Sequence, residues 1–324
     1  MDTSKIWDVV VVGGGPAGMT AAIYTQRSLL ETLIVEQLMP GGNVAITNKV
    51  ENYPGFNEIS GGELSKRMED QVKNLGVEFL SGQVESISQD EDLKYVTLSD
   101  GSYLQTKSII LSTGAGWRNL GVPGERKFTG RGVSYCGTCD GPFFKDKVIA
   151  VVGGGDTALD ESLYLERFAS KIFLIHRRDA FRGAKIFQDR VLKNPKIEVV
   201  WNSVVTEIQG DQIVNNLRLK NTKTGEEKDL PVEGVFIFIG QEPNTKFLKT
   251  FCDLDKYGYI ITDQEMHTRV DGIFAAGDVR KKNLYQIATA VGDGAIAGYM
   301  IIKYLEELKC KEEEKNECNA DQNS

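Results

Sequence analysis

Two cysteines separated by two residues, Cys136 and Cys139, are the side chains in this sequence best suited to chemistry. A pair at this spacing can close into a small disulfide and reopen, and the spacing lowers the thiol pKa towards neutrality. Asp140 follows directly as a candidate proton donor or acceptor. The residue types therefore predict a dithiol that exchanges electrons with the disulfide of a partner.

Two other interpretations of this pair remain open. A structural zinc ion needs four ligands, but the sequence has no second Cys-x-x-Cys, and its two histidines lack ligand spacing. The pair could also be two incidental buried cysteines. Of the remaining cysteines, Cys252 has no partner in sequence, whereas Cys310 and Cys318 could form an auxiliary redox pair near the C-terminus.

A glycine-rich motif near the N-terminus predicts a dinucleotide site. The apolar run from Trp7 to Val12 indicates a buried strand, and Met19 to Ser28 indicates the helix that follows it. Between them, the G-x-G-x-x-G pattern suits a tight turn and close approach of the backbone to a pyrophosphate. The next strand ends in Glu36, where a carboxylate can accept a hydrogen bond from a ribose 2'-hydroxyl. The alternative is merely a tight turn between strand and helix.

The same unit occurs a second time, directly after the dithiol. The strand Val148 to Val152 runs into a second glycine motif, and Gly155 to His176 spans the same number of residues as Gly15 to Glu36. At the position of the acid, this copy has His176, Arg177 and Arg178, with Arg182 following. Guanidinium groups bind a 2'-phosphate, which a carboxylate would repel, so the second unit is predicted to bind NADP(H). The alternative for the basic cluster is a solvated face.

Composition limits the kind of protein this is. With 324 residues, of which 41% are hydrophobic and 26% charged, the chain can form about two domains. The net charge of -8 argues against a nucleic-acid partner. No apolar stretch is long enough for a membrane span or resembles a secretory signal, and five cysteines in so long a chain fit a reducing cytoplasm.

The rest of the sequence predicts how the two units are connected. Residues 40–62 are rich in Gly, Pro and Asn and indicate a long loop, whereas 97–104 and 108–112 indicate strands. Glycine-containing breaks at 113–116 and 240–244 bracket the second unit and suggest a domain inserted into another. Residues 286–305 have a helical pattern, and the polar residues after Lys309 predict a disordered tail.

Taken together, these motifs resemble those of low-molecular-weight thioredoxin reductases. The resemblance covers residues 7 to about 305 and depends on these stretches: Gly13-Gly14-Gly15-Pro16-Ala17-Gly18, Glu51-Asn52-Tyr53-Pro54-Gly55, Cys136-Gly137-Thr138-Cys139-Asp140-Gly141, Gly153-Gly154-Gly155-Asp156-Thr157-Ala158, His176-Arg177-Arg178-Asp179 with Arg182, and Ala276-Gly277-Asp278-Val279. Many flavoproteins share the glycine motifs, but few also place a dithiol just ahead of the second one.

The resemblance implies an α/β protein of two Rossmann-like, three-layer ββα-type dinucleotide-binding domains, the second inserted into the first. The expected FAD-binding domain is discontinuous, comprising residues 1–117 and 246–308, and the NADPH-binding domain, 118–245, carries the dithiol; residues 309–324 are the tail. The resemblance also implies a homodimer, thioredoxin as the partner, and rotation of the inserted domain to alternate dithiol and nicotinamide at one flavin.

The family's functional residues map onto this sequence as three sets. The predicted catalytic residues are Cys136, Cys139 and Asp140. The predicted FAD-binding residues are Gly13, Gly15, Pro16, Ala17, Gly18, Glu36, Gly42, Asn52, Gly114, Gly277, Asp278, Gln286 and Ile287. The predicted NADPH-binding residues are Gly153, Gly155, Asp156, Thr157, Ala158, His176, Arg177, Arg178 and Arg182.

Two positions depart from the family's pattern. Asn43 stands where Gln is usual, and Tyr285 where Arg is common, both in segments that the family uses around the flavin.

The predicted route of electrons is from NADPH through FAD to the dithiol and then to thioredoxin, with Cys139 favoured as the cysteine facing the flavin. The alternatives are a reductase for a peroxidase or glutaredoxin-like partner, a ferredoxin-NADP reductase-like protein that would not need the dithiol, and a non-enzymatic flavin-binding protein.

Overall fold

The computed structural model describes residues 5–47, 50–90, 92–248 and 251–322, with the side chains of 138, 139, 312 and 314–322 outside that description. The chain forms two compact units. The first unit comprises residues 1–116 and 242–324, and the second comprises residues 117–241. The second unit is thus continuous in sequence and interrupts the first.

The regular elements of the described residues are numbered in chain order. The strands are β1 Ile6–Val12, β2 Thr32–Glu36, β3 Glu78–Ser81, β4 Val84–Asp90, β5 Leu93–Leu98, β6 Tyr103–Leu111, β7 Ala115–Trp117, β8 Val133–Ser134, β9 Val148–Gly153, β10 Lys171–Ile175, β11 Ile197–Val200, β12 Ser203–Gly210, β13 Val214–Asn221, β14 Glu227–Pro231, β15 Gly234–Phe238, β16 Gln241–Pro243 and β17 Ile273–Ala275. The helices are α1 Pro16–Arg27, α2 Gly61–Asn74, α3 Glu125–Phe128, α4 Gly137–Asp140, α5 Asp156–Leu165, α6 Lys185–Lys193 and α7 Ile287–Gln322.

The first unit is built on one mixed sheet with the strand order β3-β2-β1-β6-β5-β4. The neighbouring strands β3, β2, β1 and β6 are parallel to one another, whereas β5 pairs in the antiparallel direction with both β6 and β4. The short strand β17 pairs in parallel with the end of β6. The valines of β1 from Val9 to Val11 are completely buried because the sheet carries a hydrophobic cluster on each face. The parallel direction of β1, β2 and β6 places the glycine loop after β1 at the carboxyl end of these strands.

Two helices of the first unit approach each other closely beside that loop. A Cβ on Gly294 of α7 would collide with the carbonyl oxygen of Ala17 on α1, and a Cβ on Gly298 would lie 2.9 Å from the carbonyl oxygen of Ala21. Small residues on both helices therefore allow backbone-to-backbone packing. The consequence is that α7 lies against the start of α1, where the first glycine motif ends.

The structure corrects one predicted strand. Residues 97–104, predicted as a strand, contain the turn between the antiparallel strands β5 and β6. Asp100 Oδ1 accepts hydrogen bonds from the backbone N–H and the hydroxyl of Ser102, and Gly101 has φ of +84°. An Asp-Gly pair is a strong hairpin signal, because its second residue adopts positive φ without strain.

The last helix also differs from the expectation. It continues to Gln322 through residues that composition predicted to form a disordered tail. Lys309 Nζ lies 4.0 Å from Glu313 Oε1 one turn later, a spacing that supports a helix even where little is buried. None of the helices in the described part of the chain combines the length and the apolar character that crossing a membrane requires.

The second unit has three layers. Its central parallel sheet has the order β11-β10-β9-β15-β8. One face packs against α5 and α6 through a cluster that includes Leu159 and Val191, and the other packs against the antiparallel sheet β12-β13-β14 through a cluster that includes Leu217 and Leu219. The predicted α/β class, with Rossmann-like parallel sheets and a ββα arrangement, is confirmed.

Candidate dinucleotide and dithiol sites

The first glycine loop joins β1 to α1 and faces open space at Gly15. Gly13 has φ of +104°, and a Cβ there would lie 2.5 Å from the carbonyl oxygen of Ser112. A Cβ on Gly18 would collide with the Gly13 carbonyl oxygen, whereas one on Gly15 would meet nothing within 4 Å. Gly15 caps α1 without a side-chain hydrogen bond. The helix therefore presents uncapped N–H groups to open space, as diphosphate binding requires.

Glu36 lies at the end of β2, directly beside this loop. Its Oε2 accepts a hydrogen bond of 2.7 Å from the Gly14 N–H, and its Oε1 accepts one of 2.9 Å from the Leu38 N–H. The backbone thus fixes the orientation of the carboxylate. Each oxygen retains acceptor capacity, so Glu36 can still bind the hydroxyls of a ribose.

Two pairs of predicted residues of the first unit, from segments far apart in sequence, lie near each other. Gly42 has φ of +54°, and a Cβ on it would lie 3.9 Å from the Cα of Gly15. Gly114 has φ of +64° with open space beside it. Asn52 donates a 2.9 Å hydrogen bond from Nδ2 to Oε1 of Gln286. The unusual Asn43 donates from Nδ2 to the Ala115 carbonyl oxygen at 2.9 Å, so it links two of these loops.

Four other predicted residues shape the first unit around the loop. Pro16 begins α1, where its missing N–H costs no hydrogen bond. A Cβ on Gly277 would lie 2.8 Å from the Cβ of the buried Ala17, so a larger residue there would displace α1. Ile287 begins α7 and packs against a hydrophobic cluster that includes Val44 and Leu64.

Asp278 is the most unusual polar residue of the first unit. Its Oδ1 is buried and lies 3.1 Å from Lys282 Nζ, but it makes no hydrogen bond within the described residues. Burial raises the pKa of Asp278, and Lys282 opposes that rise. Lys282 Nζ also lies 3.2 Å from Oδ2 of Asp293, whose Oδ1 lies 3.2 Å from Nη1 of Arg280. A network of mostly buried charges therefore holds Asp278, whose Oδ1 is ion-paired with Lys282 but accepts no hydrogen bond within the described residues.

The second glycine loop joins β9 to α5 with the same design. A Cβ on Gly153 would lie 2.5 Å from that of Ala158 and would also collide with the Phe238 carbonyl oxygen, whereas one on Gly155 would meet nothing within 4 Å. Asp156, the first residue of α5, accepts a 2.6 Å hydrogen bond at Oδ1 from the Ala184 N–H. Thr157 is exposed on the first turn of the helix. This loop also presents uncapped N–H groups to open space.

The basic residues after β10 divide into one buried side chain and three exposed ones. The His176 ring lies under Gly154, with Nε2 3.1 Å from the Ala180 carbonyl oxygen, and burial lowers its pKa with help from the charge of Arg182. Arg177, Arg178 and Arg182 are exposed, and within the described residues none of them forms an ion pair. The backbone N–H of Arg182 donates a 2.8 Å hydrogen bond to the Gly154 carbonyl oxygen. His176 therefore shapes the loop, while the guanidinium groups remain available to an anion.

The dithiol segment follows β8 in the same unit. Cys136 is disulfide-bonded and precedes α4, whereas the side chain of Cys139 lies outside the described residues. The hydroxyl of Ser134 accepts a 3.1 Å hydrogen bond from the Cys136 N–H and donates one of 3.2 Å to its carbonyl oxygen. Asp140 ends the short helix and is half-buried. The backbone around the reactive sulfur is thus held by local hydrogen bonds.

Two cysteines outside this segment have different environments. Cys252 is buried and not disulfide-bonded, and burial raises its pKa to about 11, so its thiol is inert at neutral pH. Cys310 is exposed on α7 and not disulfide-bonded. The Cys318 side chain lies outside the described residues.

The residues present fit two dinucleotides. In the first unit, the open space at Gly15 suits a diphosphate, Glu36 suits a ribose, and the Asp278 oxygen that accepts no hydrogen bond suits a hydroxyl donor of FAD. In the second unit, the exposed arginines suit the 2'-phosphate of NADPH. Sequence reasoning missed Lys282 and Asp293, because no short motif connects them to Asp278.

A cluster that sequence spacing did not indicate lies on an exposed loop. Asp263, Glu265 and His267 place their ligand atoms within 4.8 Å of one another. Asp263 Oδ2 lies 2.9 Å from Nδ1 of His267. Exposed acidic groups are often found together without an ion, so the cluster indicates no metal site.

Known proteins share the length and the fold of this chain. The family model for pyridine nucleotide-disulphide oxidoreductases matches residues 7–294. The thioredoxin reductase of Listeria innocua is 48% identical over 306 residues, which cover 94% of this chain and 96% of that protein. The thioredoxin reductase of Bacillus subtilis is 46% identical over 310 residues, covering 95% and 98%. A crystal structure of Lactococcus lactis thioredoxin reductase (FR conformation) superimposes with a TM-score of 0.90 at 46% identity, covering 93% and 99%.

Proposed function

The chain belongs to the pyridine nucleotide-disulphide oxidoreductase family, and we propose that it is a thioredoxin-disulfide reductase that uses NADPH and FAD. The observation that carries the proposal is the disulfide-bonded Cys136 on the unit that also presents three unpaired arginines beside a glycine loop. A dinucleotide site and a redox disulfide on one inserted unit suit a protein that brings both to a flavin. Thioredoxin is inferred as the partner because the similar proteins are named thioredoxin reductase.

Within this proposal, the first unit holds FAD and the second holds NADPH. The N–H groups at the start of α1 bind the diphosphate of FAD, Glu36 binds its adenosine ribose, and Asp278 accepts a hydrogen bond from a hydroxyl of FAD. FAD held there would supply the two-electron chemistry that connects the hydride of NADPH to a disulfide. Arg177, Arg178 and Arg182 bind the 2'-phosphate, which makes the second unit select NADPH over NADH.

The dithiol carries the electrons out of the protein. Reduction opens the Cys136–Cys139 disulfide, and Cys136, by analogy with the family, attacks the disulfide of thioredoxin as a thiolate. Cys139 then attacks the mixed disulfide, which releases reduced thioredoxin and restores the starting bond. Asp140, the residue that follows Cys139 in the chain, supplies or accepts the proton at the sulfur.

A cytoplasmic homodimer completes the proposal. The cytoplasmic location is supported by the few cysteines in a long chain, of which Cys252 and Cys310 are not disulfide-bonded. The homodimer is implied by the family resemblance. Light scattering coupled to size exclusion tests it, because a mass equal to one chain would exclude it.

One assay tests the central activity. The purified protein, loaded with FAD, is mixed with NADPH and a protein disulfide substrate, with and without thioredoxin. We expect NADPH oxidation to require thioredoxin and to generate two thiols for each NADPH consumed. Transfer of electrons from NADPH to a ferredoxin, or to a peroxidase in the absence of thioredoxin, would refute the proposed partner.

A further inference from the structure

A buried carboxyl group lies beside the dithiol and has no role in the steps above. Glu161 is on α5, and a Cβ built on Gly137 would collide with its Oε2. The carboxyl group therefore touches the backbone immediately after Cys136. Glycine at position 137 leaves space for the carboxyl group in this conformation.

The environment of this carboxyl group is mostly apolar. Oε2 of Glu161 is buried and makes no hydrogen bond within the described residues. The position of a Cβ on Gly137 is also 3.5 Å from the side chain of Leu165, and Phe168 packs near the following Gly141. A carboxylate that lacks water and a full set of donors is costly, so such a group tends to hold a proton.

The charged groups around Glu161 add to this tendency. Burial is the main cause that raises its pKa to about 7, the charge of Asp160 raises it further, and the Gly137 N–H opposes the rise. On the same helix, Tyr164 lies close enough for Glu161 to affect its pKa, and Arg167 lies over the Tyr164 ring. From the dithiol segment, the titratable residues are Cys136, which precedes α4, and Cys139 and Asp140 within α4.

Reduction of the disulfide changes the charge beside Glu161. Two electrons, supplied by NADPH, break the S–S bond, and the two sulfurs together accept up to two protons. When one sulfur is a thiolate, a single proton remains on sulfur. A carboxylate at Glu161 would then place two negative charges close together in an apolar pocket, which protonation of Glu161 avoids.

We propose that Glu161 is a positioning residue for the redox reaction, which holds the second proton beside Cys136 while a thiolate is present and disfavours the thiolate when ionised. This inference rests on the proposed redox role of Cys136 and Cys139, but it does not depend on thioredoxin as the partner. It predicts that the charge at residue 161 determines how readily Cys136 becomes a nucleophile.

The experiment measures thiolate formation at Cys136 without any partner protein. The FAD-loaded protein is reduced with a phosphine, freed of reductant under anaerobic conditions, and alkylated with iodoacetamide from about pH 5 to about pH 9. Peptide mass spectrometry then gives the rate at Cys136 for wild type, Glu161→Gln and Asp160→Asn. Asp160 is the matched control, because it carries the same charge on the same helix but is exposed.

Glu161→Gln is expected to shift the midpoint of the Cys136 alkylation profile down by about one pH unit, since it removes a nearby buried charge. Alkylation near neutral pH should then be about tenfold faster. Asp160→Asn should shift the midpoint far less, because solvent screens its charge. Equal profiles for wild type and a folded Glu161→Gln protein would overturn the proposal.

A second measurement uses the wild-type protein and needs no variant to fold. Infrared difference spectra between the disulfide and reduced forms near neutral pH are recorded with the glutamate carboxyls isotopically labelled, which separates them from Asp140. We expect reduction to increase the signal of a protonated glutamate. No change in that signal would overturn the proposal, whereas failure to turn over thioredoxin would refute only the partner.

Discussion

The double substitution Arg177→Ala/Arg178→Ala tests which nucleotide the second unit binds. Both guanidinium groups are exposed after β10, and within the described residues neither is paired with a carboxylate. The neighbouring Asp179 pairs instead with Lys223, at 2.7 Å. If the two arginines bind the 2'-phosphate, their removal weakens NADPH binding and leaves NADH, which lacks that group, nearly unaffected.

The size of the effect follows from the number of contacts and their exposure. A charge-assisted hydrogen bond contributes about 1.5 to 3 kcal/mol, and exposed pairs lie at or below the lower end because water screens them. Two such contacts therefore give about 3 kcal/mol. This corresponds to a rise of about a hundredfold in the KM for NADPH, since each 1.4 kcal/mol is a factor of about ten.

The assay is steady-state reduction of thioredoxin with either nucleotide as the electron donor. The control is Arg190→Ala, which removes an exposed arginine from α6 of the same unit. We expect the control to resemble wild type and the double variant to lose most of its preference for NADPH. Equal losses with NADPH and NADH, or an unchanged preference, would refute the assignment of these arginines to the 2'-phosphate.

The other predictions concern the dithiol, the flavin site, the buried thiol and the C-terminal helix. Cys136→Ser should abolish thioredoxin reduction, while absorbance spectra show FAD still bound and bleached by NADPH; retained reduction would move the chemistry elsewhere. Lys282→Met should leave the negative charges of the nearby carboxylates uncompensated and lower the free energy of unfolding by about 3 kcal/mol, measured as a lower Tm and a faster loss of FAD. An unchanged Tm would contradict the charge network. Cys252 should resist iodoacetamide near pH 8 in the folded protein, because burial raises its pKa to about 11, and should react once the protein is unfolded. Deletion of the residues after Lys309 should leave kcat/KM for thioredoxin unchanged, and a large loss would indicate a role for the C-terminal cysteines.

The glycine motifs could be recognised from the sequence because their spacing is short and fixed. Gly18 has no space for a Cβ because of the Gly13 carbonyl oxygen in the same motif, whereas the atoms that crowd Gly13 belong to Ser112 and Thr113, directly after the parallel strand β6. Glu36 was also predictable, because the length of a strand-helix-strand unit places the end of β2 beside the loop.

The turn of one hairpin and the end of the last helix were not predicted correctly from the sequence. The β-forming residues on both sides of Asp100 concealed a turn that depends on Gly101 adopting positive φ. Low apolar content predicted disorder after Lys309, but α7 continues there because i,i+4 pairs such as Lys309 and Glu313 sustain a helix without a core.

The sequence by itself determined the chemistry available to this protein: a Cys-x-x-Cys pair, two glycine loops, one acid and one basic cluster at equivalent positions. These signals are short in sequence, so each can be recognised without the fold. Only the tertiary structure decided which groups are buried, since burial depends on side chains distant in sequence. It placed Lys282 and Asp293 around Asp278, turned His176 inward beneath Gly154, and pressed Glu161 against Gly137. Removal from water by these contacts is what raises the pKa values of Asp278 and Glu161.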